Sequence, residues 1–374
     1  MTSRLNRFLD GVKVVDLSRF IPGPMASLLL ADMGAEVLKV EPPEGDAMRS
    51  LGPRGPQGEA VFHEAINAGK TVCRLDLKHP GDRAELLRLV DEADILIEGF
   101  RPGVMARLGL DHAMLRSRNP RLITCAISGY GAEGPYAQTA GHDGNYLASA
   151  GMMHRNGEPP RFFDPPIVDL AGSLFAATAL LGALHARTRD GQGCHIDLGL
   201  ADVPMPLQLF EVAAIAATGR VPQPNHTYLN GGAAYYQVYA TADGRHVMVG
   251  AVEAKFWRNF AEAAGHPEWV ARQPDPLPQH ALIAEVSACL GAMTLAECED
   301  RFGHTDCCVT PVLDLGEAIA SPQYRARQLL VQAGGEAQAL FPAWVDGRPP
   351  GPRGKMIDEA APDALPRHLK EVLA

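Results

Sequence analysis

Two residues of this 374-residue chain have the types and surroundings for proton chemistry: His142, in the turn-forming stretch GHDGNY at 141–146, and Asp169, a lone acid in an apolar, Pro-rich stretch. Imidazole as a group titrates near neutral pH, so it can both take and return a proton. A carboxyl group facing it across a substrate carbon could deliver a proton to the opposite side. Each residue also has a plainer reading. His142 could be a structural histidine satisfied by its turn, and Asp169 could be the N-cap of a helix that begins at Leu170. The second is compatible with chemistry, because a carboxylate at a helix N-terminus is held by backbone N–H groups.

The elements that must position these residues alternate in type. VKVVDL at 12–17 reads as a strand, then comes a loop with Pro22, Gly23 and Pro24, a helical MASLLLADMG, and the strand EVLKVE at 36–41. The pattern recurs with TVCRLDL at 71–77, a helix from about 80 to 93, ILIEGF at 95–100 and RLITCAIS at 121–128. Strands alternating with helices imply an α/β fold, a Rossmann-like large domain with a mostly parallel sheet. The first strand–helix turn, SRFIPGP at 18–24, lacks the G-x-G-x-x-G spacing of dinucleotide sites. A long helix rich in small residues is expected over 170–187, and a strand CHIDLGL follows it. Composition then shifts. Asp243-Gly244 reads as a hairpin turn, and helices are expected near 254–265, 279–292 and 294–302. The expected division is a large domain at 1–224, a small α+β domain at 225–325, and a segment at 326–374 that returns to the large domain.

Composition narrows the function classes. Net charge is 34 − 44 = −10, which disfavours nucleic acid as a partner. The seven cysteines, at 73, 125, 194, 289, 298, 307 and 308, lack C-x-x-C spacing. They read as reduced thiols of a cytoplasmic protein, with neither a disulfide framework nor a metal site. The expectation is that no apolar run reaches the roughly 18 residues of a membrane span, so no membrane partner is expected.

Nearly the whole chain resembles the class III CoA-transferase (CaiB/BaiF) superfamily. The resemblance rests on LDGVKVVDLSRFIPGPMASLLLADMGAEVLKVEPPEGD at 9–46, LDLKHPGDRAELLRLVDEADILIEGFRPGVMARLGL at 75–110, ISGYGAEGPY at 127–136 and TRDGQGCHIDLGLADV at 188–203. GHDGNY is similar to the α-methylacyl-CoA racemase branch, where a catalytic histidine occupies this place, and LNGGAAYYQVYATADGRHVMVGAVEAKF at 229–256 is also racemase-like. The resemblance implies that Asp169 is the catalytic aspartate, serving as acid or base in a racemase and as nucleophile in a transferase. It implies that Glu253 orients His142 across a dimer, with an N-terminal acid of the 254–265 helix as the plainer alternative. It implies coenzyme A contacts at Leu75, Lys78, Phe100, Arg101 and Arg107, and an interlocked homodimer.

Two departures stand out. An arginine that many relatives carry after the second strand is Pro42 here, which leaves Lys39 or Arg49 to compensate. The stretch Asp164-Pro-Pro-Ile-Val168 is about three residues shorter than in racemases. The expected activity is epimerisation of 2-methyl-branched acyl-CoA thioesters, with coenzyme A as part of the substrate and no cofactor required. The alternatives are a CoA-transferase working through an aspartyl-CoA thioester at Asp169 and a non-catalytic acyl-CoA-binding protein.

Overall fold

Short apolar strands alternating with helices build the first part of the chain, and two of these helices begin at Pro22 and Pro80. The structure is a computed structural model and describes residues 3–56, 58–333 and 336–358. Strands β1 (Lys13–Asp16), β2 (Glu36–Glu41), β3 (Thr71–Arg74), β4 (Ile95–Glu98), β5 (Ile123–Ser128) and β6 (His195–Gly199) pair in parallel. Helices α1 (Pro22–Asp32), α2 (Val61–Asn67), α3 (Pro80–Glu92), α4 (Val104–Arg107), α5 (His112–Arg118), α6 (Asp143–Ser149), α7 (Met152–Arg155) and α8 (Ile167–Asp190) lie between them. Five of the six residues of β2 are buried, as expected for a strand covered on both faces. One face of the sheet packs Val15, Leu38 and Leu96 against Leu86, Leu89 and Val90 of α3 and Leu115 of α5. On the other face α1 packs against α8.

The chain divides into two compact units: residues 1–147, 164–207 and 321–374, and residues 148–163 and 208–320. The boundary expected at 224 therefore falls at 207, and 148–163 clusters with the second unit. In the first unit a further helix, α9, spans Pro204–Leu207. The second unit begins its longer segment with α10 (Leu209–Thr218). It continues with the antiparallel strands β7 (Tyr236–Ala240), β8 (His246–Gly250) and β9 (Val309–Pro311), and the helices α11 (Ala254–Ala264), α12 (His280–Gly291) and α13 (Leu295–Phe302). Gly244 turns the β7–β8 hairpin at φ 75°. Trp257, Phe260, Trp269 and Phe302 fill the centre of this unit.

The described part of the C-terminal segment contains three strands. Strands β10 (Leu330–Ala333) and β11 (Glu336–Ala339) form a hairpin, and β12 (Ile357–Asp358) pairs in parallel with β3. The sheet order is thus β12-β3-β2-β1-β4-β5-β6. Arg353 ties the segment down with a bidentate pair to Asp32, at 2.6 and 2.8 Å.

Helix α8 corrects one expectation. By length and composition alone its 24 residues are apolar enough to cross a membrane. Its polar groups are instead engaged inside the first unit. Ser173 donates to the Pro22 carbonyl at 2.8 Å, and Arg187 pairs with Asp94 at 2.7 Å. Gly191 ends the helix at φ 72°, where its N–H reaches the Arg187 carbonyl.

Candidate functional site

The sheet order reverses between β1 and β4, and a parallel sheet opens a crevice at the carboxyl ends of its strands at such a point. The loops that follow β1, β4 and β5 meet there. Together with α6 and the first turn of α8 they enclose a cavity of about 300 Å³. His142 and Asp169 both line it, along with Ser18, Arg19, Phe20 and Arg101. The two residues expected from the sequence to do proton chemistry therefore line one chamber.

Local hydrogen bonds fix the His142 backbone. It immediately precedes α6, its carbonyl accepts from the Asn145 N–H at 2.8 Å, and its own N–H donates to Asn145 Oδ1 at 3.0 Å. Tyr146, one residue on, donates its hydroxyl to the Gly141 carbonyl at 2.7 Å. Gly129 and Gly141 are glycines for a packing reason, since a Cβ at either would stand 2.7 Å from Tyr146 ring or hydroxyl atoms. Phe20 meets the His142 ring edge-on, with centroids 6.1 Å apart.

Asp169 lies in the first turn of α8, which starts at Ile167 rather than at Leu170, so Asp169 is not the N-cap. The cap comes from elsewhere. Asp143, itself buried, accepts from the Val168 N–H at 2.6 Å and the Asp169 N–H at 3.2 Å. This bond joins the residue after the histidine to the helix that carries the acid. Burial first, and the Asp143 charge second, push the Asp169 carboxyl up to about 7. A group with that value holds a proton part of the time at neutral pH. The same surroundings, burial foremost and the charge of Asp169 next, push the Tyr146 phenol up to about 12.

A second cavity, of about 270 Å³, lies beside the ends of β2 and β3 and is lined by Arg19, Pro42, Leu75, Lys78 and Phe100. Three of the expected coenzyme A contacts, Leu75, Lys78 and Phe100, thus come together, while Arg101 belongs to the cavity of His142. Arg107 is exposed and lines none of these cavities.

Lys39 requires correction. It is fully buried, donating to the Ser18 carbonyl at 2.8 Å and pairing with Asp46 at 3.1 Å, so its charge faces no phosphate. Arg49 is also engaged, with Glu41 at 2.7 Å and Asp358 at 2.9 Å. Glu253 lies in the second unit as an exposed residue before α11, and its side chain caps no helix N–H.

Several further residues escaped the reading of the sequence. Arg19 and Phe20 are two. Glu98 is another: burial raises its carboxyl to about 7, and it lines a separate cavity of about 240 Å³ with His112, His195 and Asp197. Among the described residues, no group of three or more His, Cys, Asp or Glu side chains could hold a metal ion.

The sequence pattern of CoA-transferase family III matches residues 9–355. The chain belongs to CoA-transferase family III. Family relatives of two kinds are equally similar. An acetyl-CoA:oxalate CoA-transferase of Acetobacter aceti is 34% identical over 354 residues, covering 90% of this chain and 89% of the relative. The human alpha-methylacyl-CoA racemase is 34% identical over 322 residues, covering 83% of this chain and 79% of the relative. The solved structure of a CaiB/BaiF family protein from Brucella suis superposes with a TM-score of 0.82 at 28% identity, covering 94% of this chain and 96% of that one. Family III membership therefore fixes the fold and an enzyme class that includes both CoA transfer and racemisation.

Proposed function

We propose that this family III protein interconverts the C2 epimers of 2-methyl-branched acyl-CoA thioesters. The observation that carries this reading is the pairing, in one cavity, of His142 with a carboxyl group whose surroundings hold it near 7. A nucleophilic carboxylate needs to be ionised, whereas a proton donor needs to be protonated when substrate arrives. The environment of Asp169 favours the donor.

In one direction, neutral His142 takes the proton from C2 and the electron pair moves into the thioester carbonyl. Protonated Asp169 then returns a proton to C2 on the opposite face. In the other direction the ionised carboxylate accepts and the imidazolium delivers. The step balances without a redox group or a metal ion, so coenzyme A enters only as part of the substrate. Its nucleotide supplies binding energy far from the reacting carbon.

The second reading moves CoA between carboxylic acids through a covalent adduct at Asp169. The similarity to the Acetobacter aceti transferase favours it. Heavy water separates the two. With a single epimer of a 2-methylacyl-CoA as substrate, epimerisation places deuterium at C2 and converges on both epimers. Transfer of CoA to an added free acid with C2 undeuterated overturns the proposal, and so does CoA binding with neither reaction. His142→Ala is expected to abolish exchange while CoA still binds.

The active assembly in this reading holds two copies of the chain. Helix α10 has no buried residue, and Leu209 and Phe210 are 57% and 73% exposed. An apolar helix face of that kind calls for a covering surface. Light scattering on the purified protein is expected to give twice the chain mass.

A further inference from the structure

The two cavities on either side of the β1 loop pose a charge problem. If an acyl-CoA places its thioester beside His142 and Asp169, its nucleotide must lie elsewhere, and the cavity beside β2 and β3 adjoins. Coenzyme A carries a diphosphate between its nucleoside and its pantetheine arm. The diphosphate therefore lies on the thioester side of the nucleoside, towards the wall that the two cavities share. Lys39 and Arg49 are both committed to carboxylates, and position 42 is a proline.

Among the described residues, two line both cavities: Arg19 and Phe100. Arg19 is exposed and forms no ion pair among the described residues. Its guanidinium lies 5.9 Å from the centroid of the Phe100 ring, a cation–π placement that orients the group without neutralising it. Its backbone is anchored from below. The neighbouring Ser18 gives its carbonyl to buried Lys39, at 2.8 Å, and its N–H to Asp16, at 2.9 Å. The buried lysine thus serves the site indirectly, by fixing the loop from which Arg19 projects.

The remaining groups fit this arrangement. The cavity beside β2 and β3 is also lined by Lys78 and by the acids Glu41, Glu44 and Asp76, and the cavity of His142 by Arg101, but none of these stands on the wall that the two cavities share. Glu41 is neutralised by Arg49 and bonded to His63 at 2.7 Å. Glu44 and Asp76 suit the hydroxyl and amino donors of a nucleoside and repel phosphate. The shared wall carries a cation and no acid.

We propose that Arg19 binds the diphosphate of coenzyme A and so supplies the cation missing at position 42. This rests on the reading of the ligand as a CoA thioester, whichever reaction follows. A guanidinium contacts a diphosphate through two parallel N–H···O bonds, which a lysine at the same place cannot reproduce.

Calorimetric titration of the purified protein with CoA and with dephospho-CoA, which lacks only the 3′-phosphate, tests the assignment. Arg19→Ala is expected to weaken both ligands alike, by about 10- to 100-fold, the scale of charged hydrogen bonds. Arg19→Lys is expected to fall between. Because Arg19 is exposed and unpaired, thermal unfolding of the ligand-free variants should match wild type. Arg19→Ala binding CoA within twofold of wild type overturns the proposal. A loss seen with CoA and absent with dephospho-CoA also overturns it, since Arg19 would then serve the 3′-phosphate. A wild-type protein that binds neither ligand overturns the CoA reading itself, a result separate from the other two.

Discussion

The Asp143 carboxylate accepts the main-chain N–H of Asp169 at 3.2 Å across 26 residues of sequence. That one bond fixes where the acid stands and places a second negative charge beside it. Asparagine at 143 would keep the acceptor oxygen and remove the charge. Asp143→Asn is therefore expected to lower the titration point of Asp169 from about 7, by less than half of its elevation, because burial is the larger cause. A pH profile of the exchange rate, or carboxyl NMR of Asp169, reads this directly. Asp143→Ala would leave one buried and one partly buried N–H group without that acceptor, at a cost of about 1–2 kcal/mol. Urea unfolding checks that figure.

The raised Asp169 carboxyl also makes a claim about stability. In the unfolded chain it ionises near the ordinary aspartate value, so between roughly pH 4 and 7 the folded protein binds more protons there than the unfolded one. Its contribution to stability therefore falls as pH rises through that window and is lowest above 7. Asp169→Asn, which cannot ionise, should be more stable than wild type at pH 8, by roughly 1–2 kcal/mol. The advantage should shrink at pH 5. Equal unfolding midpoints at both pH values would contradict the assigned environment.

Much of the architecture was legible because it is local. The strand 36–41 and the helix 80–92 follow from apolar runs and from Pro80 at a helix start. The shared cavity of His142 and Asp169 brings together two residues that lie 27 positions apart in the chain. The rest depends on groups distant in the chain. Nothing near Pro166 reveals that its helix is capped by Asp143, so α8 was expected to start three residues late. Lys39 looks like any polar residue in a strand. Only the approach of Asp46 and the Ser18 carbonyl explains its burial. Arg19 stands inside the stretch 9–46 without a spacing that singles it out, and its place between two cavities comes from the sheet reversal at β1 and β4.

Phe20 is held at φ 63°, a left-handed backbone that non-glycine residues seldom adopt. Its loop is pinned at both ends, by Lys39 on the Ser18 carbonyl at 2.8 Å and by Lys70 on the Pro24 carbonyl at 2.7 Å. Strain of this kind is retained where the side chain it presents matters. Here that side chain packs against the His142 ring. Phe20→Leu should lower the exchange kcat roughly 10-fold through a looser imidazole, with CoA affinity within about twofold. Phe20→Tyr should retain the rate. The ring-current shift on the His142 imidazole protons, present in wild type and lost in Phe20→Leu, reads the contact independently of turnover.

Lys70 makes the stronger structural demand. Its buried ammonium donates to the Pro24 carbonyl, to Ser27 at 2.8 Å and to Asn67 at 3.0 Å, with Asp16 at 3.7 Å. Lys70→Met would leave three buried acceptors without that donor and the Asp16 carboxylate with less compensation. Breaking such a buried group by removing one partner costs about 3–5 kcal/mol. Replacing the aspartate as well should recover part of the loss, because the neutral amide no longer needs a cation. The double variant Asp16→Asn with Lys70→Met is therefore expected to be less destabilised than the sum of the single variants. Strict additivity in urea unfolding would mean that Asp16 and Lys70 do not act as one network beneath the β1 loop.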